Sequence, residues 1–263
     1  MCFFDASPSL YELKSTFFMQ IFYTPDISGS EYILSEDESK HAIRVLRMNL
    51  GDHIFLVDGK GAFIEAIIAD AHPKKCRIIV RNVVADFEKR DYYIHIAISP
   101  LKHPDRLEWF LEKATEIGID EITPLLCERT EKKSFNLSRS NRVIESAMKQ
   151  SIKAYHPVIN PLTKFNDFVK RVGEEVKMIA CCEGGRKLIM ECYKPGQKAL
   201  ILIGPEGDFS DEEITLAKAH DFVPITLGTS RLRTETAGVA ACHSISFVNL
   251  NYHSLSFLSS RSL

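Results

Sequence analysis

The stretch Ala199–Ala237, ALILIGPEGDFSDEEITLAKAHDFVPITLGTSRLRTETA, places two glycine turns after two short apolar segments. The first segment ends in the turn Gly204–Gly207, and the second ends at Leu227-Gly228. In a parallel sheet, turns at the carboxyl ends of strands line the crevice in which small molecules bind. The pattern therefore predicts an α/β fold with a small-molecule site, and we expect the two strands to be neighbours in the sheet.

The turn Gly204–Gly207 has glycines that let the backbone approach a ligand closely. It lacks the GxxxxGK[ST] phosphate loop and the GxGxxG dinucleotide turn. Glu206 would repel phosphates, which favours a cationic or neutral ligand. Taken alone, the turn is also typical of an ordinary strand–helix connection, because Ser210 and Glu213 form a capping box for the next helix.

The second turn is followed by Arg233, Thr234, Glu235 and Thr236 at the start of an apolar helix. One explanation for these residues is structural, because helix capping and the helix dipole favour hydroxyl and carboxylate groups at the start of a helix. The other explanation is that they form an ordered loop around a ligand. The two turns together favour the ligand site, and a third strand pattern that ends at Cys181–Gly185 is expected to complete it.

Strand and helix patterns alternate from Tyr92 to Phe247, which is typical of a parallel α/β sheet. Before this region, a capped helix (Ser35–Met48) and three short strands indicate a small β-barrel. We predict an extension outside the fold, disordered or non-native, a barrel domain, an α/β domain and a flexible tail. Their limits are 1–18, 19–86, 91–250 and 251–263.

The net charge of −2 conceals a basic N-terminal half. The segment Lys40–Arg81 has eight basic and four acidic residues, which is compatible with nucleic-acid contact or with an ordinary solvated face. Seven cysteines without paired spacing indicate a reduced, cytoplasmic protein. The sequence has neither CxxC nor HExxH and no apolar run of 18 residues, so we expect no metal and no membrane contact.

The motifs resemble those of the RsmE-type 16S ribosomal RNA uridine-N3 methyltransferases, a family within the SPOUT superfamily. The resemblance extends from about Met19 to Phe247. It is carried by the following segments: Ile203–Gly207, Phe209-Ser210, Glu212-Glu213, Leu227-Gly228, Leu232–Ala237, Lys113–Gly118, Ile122–Leu125, Gln150-Ser151, His41–Arg47 and Gly51-Asp52. The family often has glycine at the position of Asp208 and arginine at that of Lys153.

The resemblance implies a SPOUT-type knotted parallel-sheet domain preceded by a PUA-like β-barrel, with S-adenosylmethionine as methyl donor. It also implies a homodimer that acts on 16S rRNA, either naked or in the assembled small subunit. The cofactor-binding residues that it implies are Cys182, Glu183, Gly184, Ile203, Gly204, Pro205, Glu206, Gly207, Leu227, Gly228, Leu232 and Thr234.

Methylation at N3 of uridine requires loss of the N3 proton and stabilisation of the resulting anion. Arg233 is the candidate for stabilising charge on the base, and Glu235 is a candidate base that could equally be a helix cap. The N3 edge is hidden in a paired uridine, so the target must be unpaired. Candidate phosphate contacts, each also explicable as an ordinary surface charge, are Arg44, Arg47, Lys102, Arg129 and Lys132.

Two other functions stay open at this point. A related SPOUT enzyme could methylate the ribose 2′-hydroxyl, although the PUA-like opening and the LRTETA stretch (Leu232–Ala237) favour N3. A non-catalytic RNA-binding module would need no donor, and the intact glycine turns argue against it. Binding of S-adenosylmethionine would distinguish an enzyme from such a module.

Overall fold

The computed structural model describes residues 20–182 and 185–259, with side chains described as far as residue 250. The chain divides into two compact units, Met1–Phe87 and Glu88–Leu263. The domain limits predicted from the sequence stay predictions. The predicted extension, residues 1–18, lies outside the described residues.

The N-terminal unit is built on a five-stranded sheet in the order β1-β3-β4-β5-β2. β1 and β3 are parallel and the remaining pairs are antiparallel. The core is formed by buried side chains such as Leu56, Ile68 and Ile78. The strands are β1 (Ile21–Tyr23), β2 (Glu31–Ile33), β3 (His53–Val57), β4 (Phe63–Asp70) and β5 (Arg77–Val84).

The helix predicted over Ser35–Met48 is shorter and changes its hydrogen-bonding pattern. An α-helix, α1 (Glu36–Lys40), begins at Ser35, whose hydroxyl accepts a hydrogen bond from Glu38 N at 3.2 Å. A π-helical turn, His41–Val45, follows. Arg47 lies beyond the turn with a left-handed φ of 57°, so it does not lie one helical turn after Arg44, as a continuous helix would place it.

The C-terminal unit is a parallel sheet in the order β11-β13-β10-β12-β6-β7-β8, with the short β9 beside β7. The predicted alternation of strands and helices is confirmed. The strands are β6 (Tyr93–Ile98), β7 (Glu121–Leu126), β8 (Val158–Ile159), β9 (Thr163–Lys164), β10 (Val176–Ala180), β11 (Lys187–Leu188), β12 (Lys198–Ile203) and β13 (Val223–Thr226).

The central strands are buried along nearly their whole length. Ile94 and Ile96–Ile98 of β6, and Ala199–Ile203 of β12, are all almost inaccessible to solvent. Because helices cover these strands on both faces, their sequences are apolar at successive positions and do not alternate between apolar and polar residues. The helices are α2 (Pro104–Ile117), α3 (Leu137–Ser151), α4 (Phe165–Phe168), α5 (Ile189–Cys192), α6 (Asp211–Ala219) and α7 (Thr234–Ser259).

α7 packs very closely against α2 at Gly238. A β-carbon at this position would lie 2.7 Å from the ring of Phe110 and 3.1 Å from Ile98 Cδ1. Only glycine leaves room for this contact, which fixes the start of α7 against the sheet. The helix begins at Thr234 as predicted and continues past Phe247, where the sequence pattern placed its end, to Ser259.

The strand order corrects one prediction about the site. β12 and β13 are not neighbours, because β10 lies between them and pairs with both in parallel. The expectation that the two strands before the glycine turns are neighbours was therefore wrong. It was right that the turns meet at one sheet edge, since the third strand connects them in register, with Ile179 opposite both Leu202 and Pro224.

Candidate active site

The carboxyl ends of β10, β12 and β13 enclose a cavity of about 120 Å³, which we call the strand-end cavity. A cavity of this size is smaller than the roughly 300–1,000 Å³ of typical ligand pockets, so it encloses one part of a nucleoside-sized molecule. Its lining residues are Ala180, Cys181, Cys182, Arg186, Pro205, Glu206, Asp208, Ile225, Thr226, Leu227, Gly228, Ser230, Arg231, Leu232 and Ala237.

The walls of the strand-end cavity combine apolar surface with charge. Leu227 and Leu232 supply aliphatic surface, Glu206 and Asp208 supply carboxylates, and Arg186 and Arg231 supply guanidiniums. Carboxylates next to apolar walls suit a ligand that has a flat apolar part and a positive charge. The chemistry of the lining therefore fits a sulfonium nucleoside such as S-adenosylmethionine.

Asp208 joins two of the strand ends. Its Oδ2 accepts a hydrogen bond from Cys182 N at 2.9 Å, and its Oδ1 accepts one from Phe209 N at 2.8 Å. Asp208 has a φ of 64°, the left-handed region that glycine adopts without strain, which explains why a glycine can stand here in the family. Hydrogen bonding to Asp208, with burial, raises the pKa of the Cys182 thiol.

The predicted cofactor residues divide into three groups. Six of them line the strand-end cavity: Cys182, Pro205, Glu206, Leu227, Gly228 and Leu232. Four lie outside its lining, namely Ile203, Gly204, Gly207 and Thr234. Glu183 and Gly184 fall outside the described residues. The assignment of these twelve residues to the cofactor stays a prediction.

Two residues behind the lining hold the glycine turn in place. The Thr234 hydroxyl donates to Gly204 O at 3.0 Å and connects the start of α7 to the end of β12. Arg129 Nη1 donates to Gly207 O at 3.0 Å and to Phe209 O at 3.1 Å. In this structure Arg129, a predicted RNA contact, therefore supports the backbone of the turn.

A second cavity, of about 650 Å³, lies beside the first, and we call it the arginine cavity. Arg231 and Leu232 line both cavities and so form a common wall. The lining residues of the arginine cavity are Asp105, Arg106, Trp109, Arg231, Leu232, Arg233, Glu235 and Thr236. The structure thus brings Arg233 and Glu235, the two predicted catalytic residues, into one cavity.

Glu235 is a buried carboxylate with an open acceptor. Its side chain is only 9 % exposed, and the nearest cation is Arg106, with Nε 3.9 Å from Glu235 Oε1. Within residues 20–182 and 185–250, no group donates a hydrogen bond to Glu235 Oε2. An unsatisfied buried oxygen is costly, so this atom is placed to receive a donor from a ligand in the cavity.

The other predicted RNA contacts are spread over both units. Arg44 and Arg47 are exposed in the N-terminal unit. In the C-terminal unit, Lys102 Nζ lies 3.1 Å from Glu131 Oε2. Lys132 lines a third cavity of about 770 Å³ between the end of β6 and the start of α3. Their roles toward RNA stay predictions.

Sequence reasoning missed Arg106 and Trp109 as site residues. Both lie on α2, three residues apart, on a side of the helix that is not packed into the core. The available signal was an aromatic residue on the polar face of an amphipathic helix. Arg186 and Arg231 also line the strand-end cavity and were not singled out, because their loops have no periodic pattern.

A separate polar cluster lies at the opposite edge of the sheet. His95 Nδ1 is 2.6 Å from Glu174 Oε1, and His95 Nε2 is 2.8 Å from Thr123 Oγ1. Asn160 Nδ2 donates to Thr123 Oγ1 and to Glu121 Oε1. His95, Glu121 and Glu174 each bring one ligand atom to within 4.8 Å of the others. The hydrogen bonds account for this cluster as a structural network that buries His95.

Comparisons with known proteins agree with this geometry. A sequence profile described as an RNA methyltransferase domain matches residues 88–246, and one described as an RNA methyltransferase PUA domain matches residues 34–81. The chain belongs to the RNA methyltransferase family. The resemblance found in the sequence is confirmed, as is the fold of a SPOUT-type α/β domain with a PUA-like barrel; the trefoil knot itself stays a prediction.

Individual relatives of this methyltransferase are similar over two thirds or more of their length. A probable rRNA-methyltransferase from Porphyromonas gingivalis is 41 % identical, with a TM-score of 0.84, and 89 % of this chain and 99 % of that chain are covered. A ribosomal RNA small subunit methyltransferase E from Neisseria gonorrhoeae, solved bound to S-adenosyl methionine, is 25 % identical, with a TM-score of 0.80 and coverages of 88 % and 98 %. The ribosomal RNA small subunit methyltransferase E of Synechocystis is 33 % identical, with coverages of 75 % and 67 %.

Proposed function

We propose that this methyltransferase transfers a methyl group from S-adenosylmethionine to N3 of a uridine in 16S ribosomal RNA. The observation that carries the proposal is the common wall of the two cavities, Arg231 and Leu232. One cavity suits a cationic nucleoside and the other has a buried acceptor beside arginines. Donor and acceptor sites that share a wall place the two reactants next to each other, which supplies much of the rate of a transfer reaction.

The strand-end cavity is the donor site. Backbone groups of the Gly204–Gly207 and Leu227-Gly228 turns lie at its edge, and the carboxylates of Glu206 and Asp208 can attract the positive sulfonium of the donor. When bound there, S-adenosylmethionine supplies a methyl group activated by its sulfonium. Leu232 separates this cavity from the arginine cavity and excludes water from the boundary.

The arginine cavity is the site of the target base. Glu235 Oε2 has no partner among the described residues and accepts the N3–H of an unpaired uridine, whose proton it then takes. Arg233 stabilises the negative charge that remains on the base. The N3 lone pair forms the bond to the methyl carbon, the carbon–sulfur bond breaks, and the donor leaves as the neutral thioether.

Two variants separate catalysis from donor binding. We expect Arg233→Ala to lower the single-turnover rate by about 10²–10³-fold, the effect of removing one stabilising charge. We expect Glu235→Gln to lower it by about 10²–10⁴-fold. Affinity for S-adenosylmethionine, measured by calorimetry, should change less than about threefold. Arg171→Ala, which precedes β10 at the opposite edge of the sheet, is the control. Equal losses of rate and donor affinity would contradict the roles.

The thiol of Cys182 reports on occupancy of the donor site. It is exposed and lines the strand-end cavity, whereas Cys192, which does not line it, is half-buried. S-adenosylmethionine should therefore slow alkylation of Cys182 and leave alkylation of Cys192 unchanged, as peptide mass spectrometry would show. Alkylation of Cys182 at an unchanged rate under saturating donor would place the donor elsewhere.

The product identifies the target atom. Small subunits and naked 16S rRNA from cells that lack the gene should each be incubated with the enzyme and donor, and their nucleosides separated by mass spectrometry. N3-methyluridine is the expected product, and comparison of the two substrates shows which form is used. A 2′-O-methylated nucleoside would exclude the proposed base chemistry.

The enzyme acts as a homodimer in a reducing compartment, the cytoplasm. Phe247 and Leu250 are 52 % and 59 % exposed and follow His243 along one face of α7, an apolar stripe that suits a second copy of the chain. Phe247→Asp should convert the dimer to a monomer in sedimentation experiments.

The reducing compartment is supported by the cysteines, since all six in the described part of the chain are free thiols. Across residues 20–182 and 185–259, no helix has both the length and the apolarity to span a membrane.

A further inference from the structure

Trp109 is the only tryptophan of the chain, and it lies on the wall of the arginine cavity with 42 % of its surface exposed. Leaving an indole in contact with water costs free energy that a ligand recovers by covering it. The mechanism proposed above uses Arg233 and Glu235 of the same cavity and assigns nothing to this ring.

Cationic side chains line the same cavity as the ring. Arg106, Arg231 and Arg233 line the same cavity, together with the carboxylates of Asp105 and Glu235. Arg106 lies near Glu235, whereas within the described parts of the chain the guanidiniums of Arg231 and Arg233 have neither a hydrogen bond nor an ion pair. Their donors are therefore available to an anion.

We propose that Trp109 stacks on an unpaired nucleobase next to the target uridine and that Arg106 and Arg231 bind the phosphate beside that base. The inference rests on the proposed function. A flat aromatic face beside guanidiniums is the arrangement that recognises single-stranded nucleic acid without regard to sequence. The cavity of about 650 Å³ has room for a second nucleotide beside the base held by Glu235.

The single tryptophan makes the proposal directly measurable. Tryptophan emission, excited at a wavelength that the tyrosines do not absorb, reports only on position 109, so a titration of the full-length protein with hexauridylate should quench it as the oligonucleotide binds. Binding should weaken as salt increases, because phosphate contacts release counterions. Hexauridylate that binds by fluorescence anisotropy and leaves the tryptophan emission unchanged would overturn the proposal.

Substitutions then test the ring and the charges separately. Trp109→Leu should raise KM for RNA about tenfold, within the range that stacking contributes per base, and should leave kcat within about threefold. Trp109→Phe keeps an aromatic face and should restore most of the loss. Arg231→Gln should lower the salt dependence of binding by about one phosphate. Val158→Ala, an exposed apolar side chain on β8, is the control for a general surface effect.

The outcomes of these experiments separate failure of the nucleotide site at Trp109 from failure of the proposed methylation. Quenching by hexauridylate without formation of N3-methyluridine would support the nucleotide site while refuting the reaction. Quenching that follows protein concentration, and not oligonucleotide, would show that a second copy of the chain covers Trp109 and would overturn the nucleotide site. An unchanged KM in Trp109→Leu, with methylation intact, would overturn it as well.

Discussion

Asp208 replaces a glycine common in the family, and its removal should weaken donor binding through geometry. Its carboxylate accepts hydrogen bonds from Cys182 N and Phe209 N and so fixes the end of β10 relative to that of β12. Asp208→Gly retains the left-handed φ of 64° without strain and removes both acceptors. The substitution therefore isolates the hydrogen bonds from the backbone conformation.

The size of the expected loss of affinity follows from how exposed Asp208 and Cys182 are to solvent. A hydrogen bond to a buried carboxylate contributes roughly 1.5–3 kcal/mol, and solvent at this half-exposed position reduces it to about 1 kcal/mol. We expect Asp208→Gly to weaken the binding of S-adenosylmethionine about fivefold. The neutral product S-adenosylhomocysteine should lose less affinity, because the loosened turn affects both nucleosides but only the cationic donor also loses the attraction of the carboxylate.

Asp208→Asn separates charge from geometry. The amide oxygen still accepts one of the two hydrogen bonds and asparagine tolerates a positive φ, so affinity for S-adenosylhomocysteine should fall less than in Asp208→Gly. Affinity for the cationic S-adenosylmethionine should fall, because one carboxylate of the cavity is lost. Asp211→Asn removes a charge from the same segment outside the cavity lining and serves as the control.

Calorimetry with the two nucleosides measures both effects, and the Cys182 thiol gives a third readout. Since hydrogen bonding to Asp208, with burial, raises the pKa of Cys182, Asp208→Asn should lower that pKa and speed alkylation at pH 8. Wild-type affinity of Asp208→Gly for both nucleosides would refute the reasoning, because it would show that the site does not depend on the junction of the two strand ends.

Three further predictions concern stability and the support of the site. Gly238→Ala should destabilise the protein by about 1–3 kcal/mol in urea, because the new methyl group lies 2.7 Å from the Phe110 ring, and Phe110→Leu in the same chain should recover part of the loss. Arg129→Lys removes the guanidinium nitrogen Nη1, which donates to two backbone carbonyls of the turn, so donor affinity should fall severalfold in calorimetry while the melting temperature changes little. Burial raises the pKa of Glu174, but the hydrogen bond and charge of His95 outweigh burial and hold that pKa below its ordinary 4.5. Its contribution to stability is thus present above about pH 4.5 and lost as pH falls through the folded-state pKa, and Glu174→Gln should flatten the acid side of the stability profile.

The strands and helices of the C-terminal unit could be predicted from local sequence patterns, because the tertiary structure keeps the conformations that these patterns favour. The continuous apolar runs of β6 and β12 and the capping box at Ser210 predicted their elements within about one residue. The π-helical turn after α1 could not be predicted, because the left-handed φ just beyond it is carried by Arg47, a residue without a turn signature.

The site was predictable where residues follow strands and was missed where they come from helix faces. Glu206 and Gly228 lie at strand ends, which always converge in a parallel sheet. The order of those strands depends on long-range pairing, so the central place of β10 was not visible in the sequence. Trp109 reaches its cavity through the packing of α2 beside the start of α7, and no local pattern records that contact.

The pairing of β6 with β12 has a consequence during protein synthesis. Ile98 is opposite Ile203, about a hundred residues later in the chain, so one edge of β6 has no partner while the intervening segment is translated. At about 5–20 residues per second, this interval lasts roughly 5–20 s, during which an apolar strand edge is open to wrong partners. The residues that line the strand-end cavity extend as far as Ala237, so a nascent chain cannot hold the donor until the start of α7 has left the ribosome.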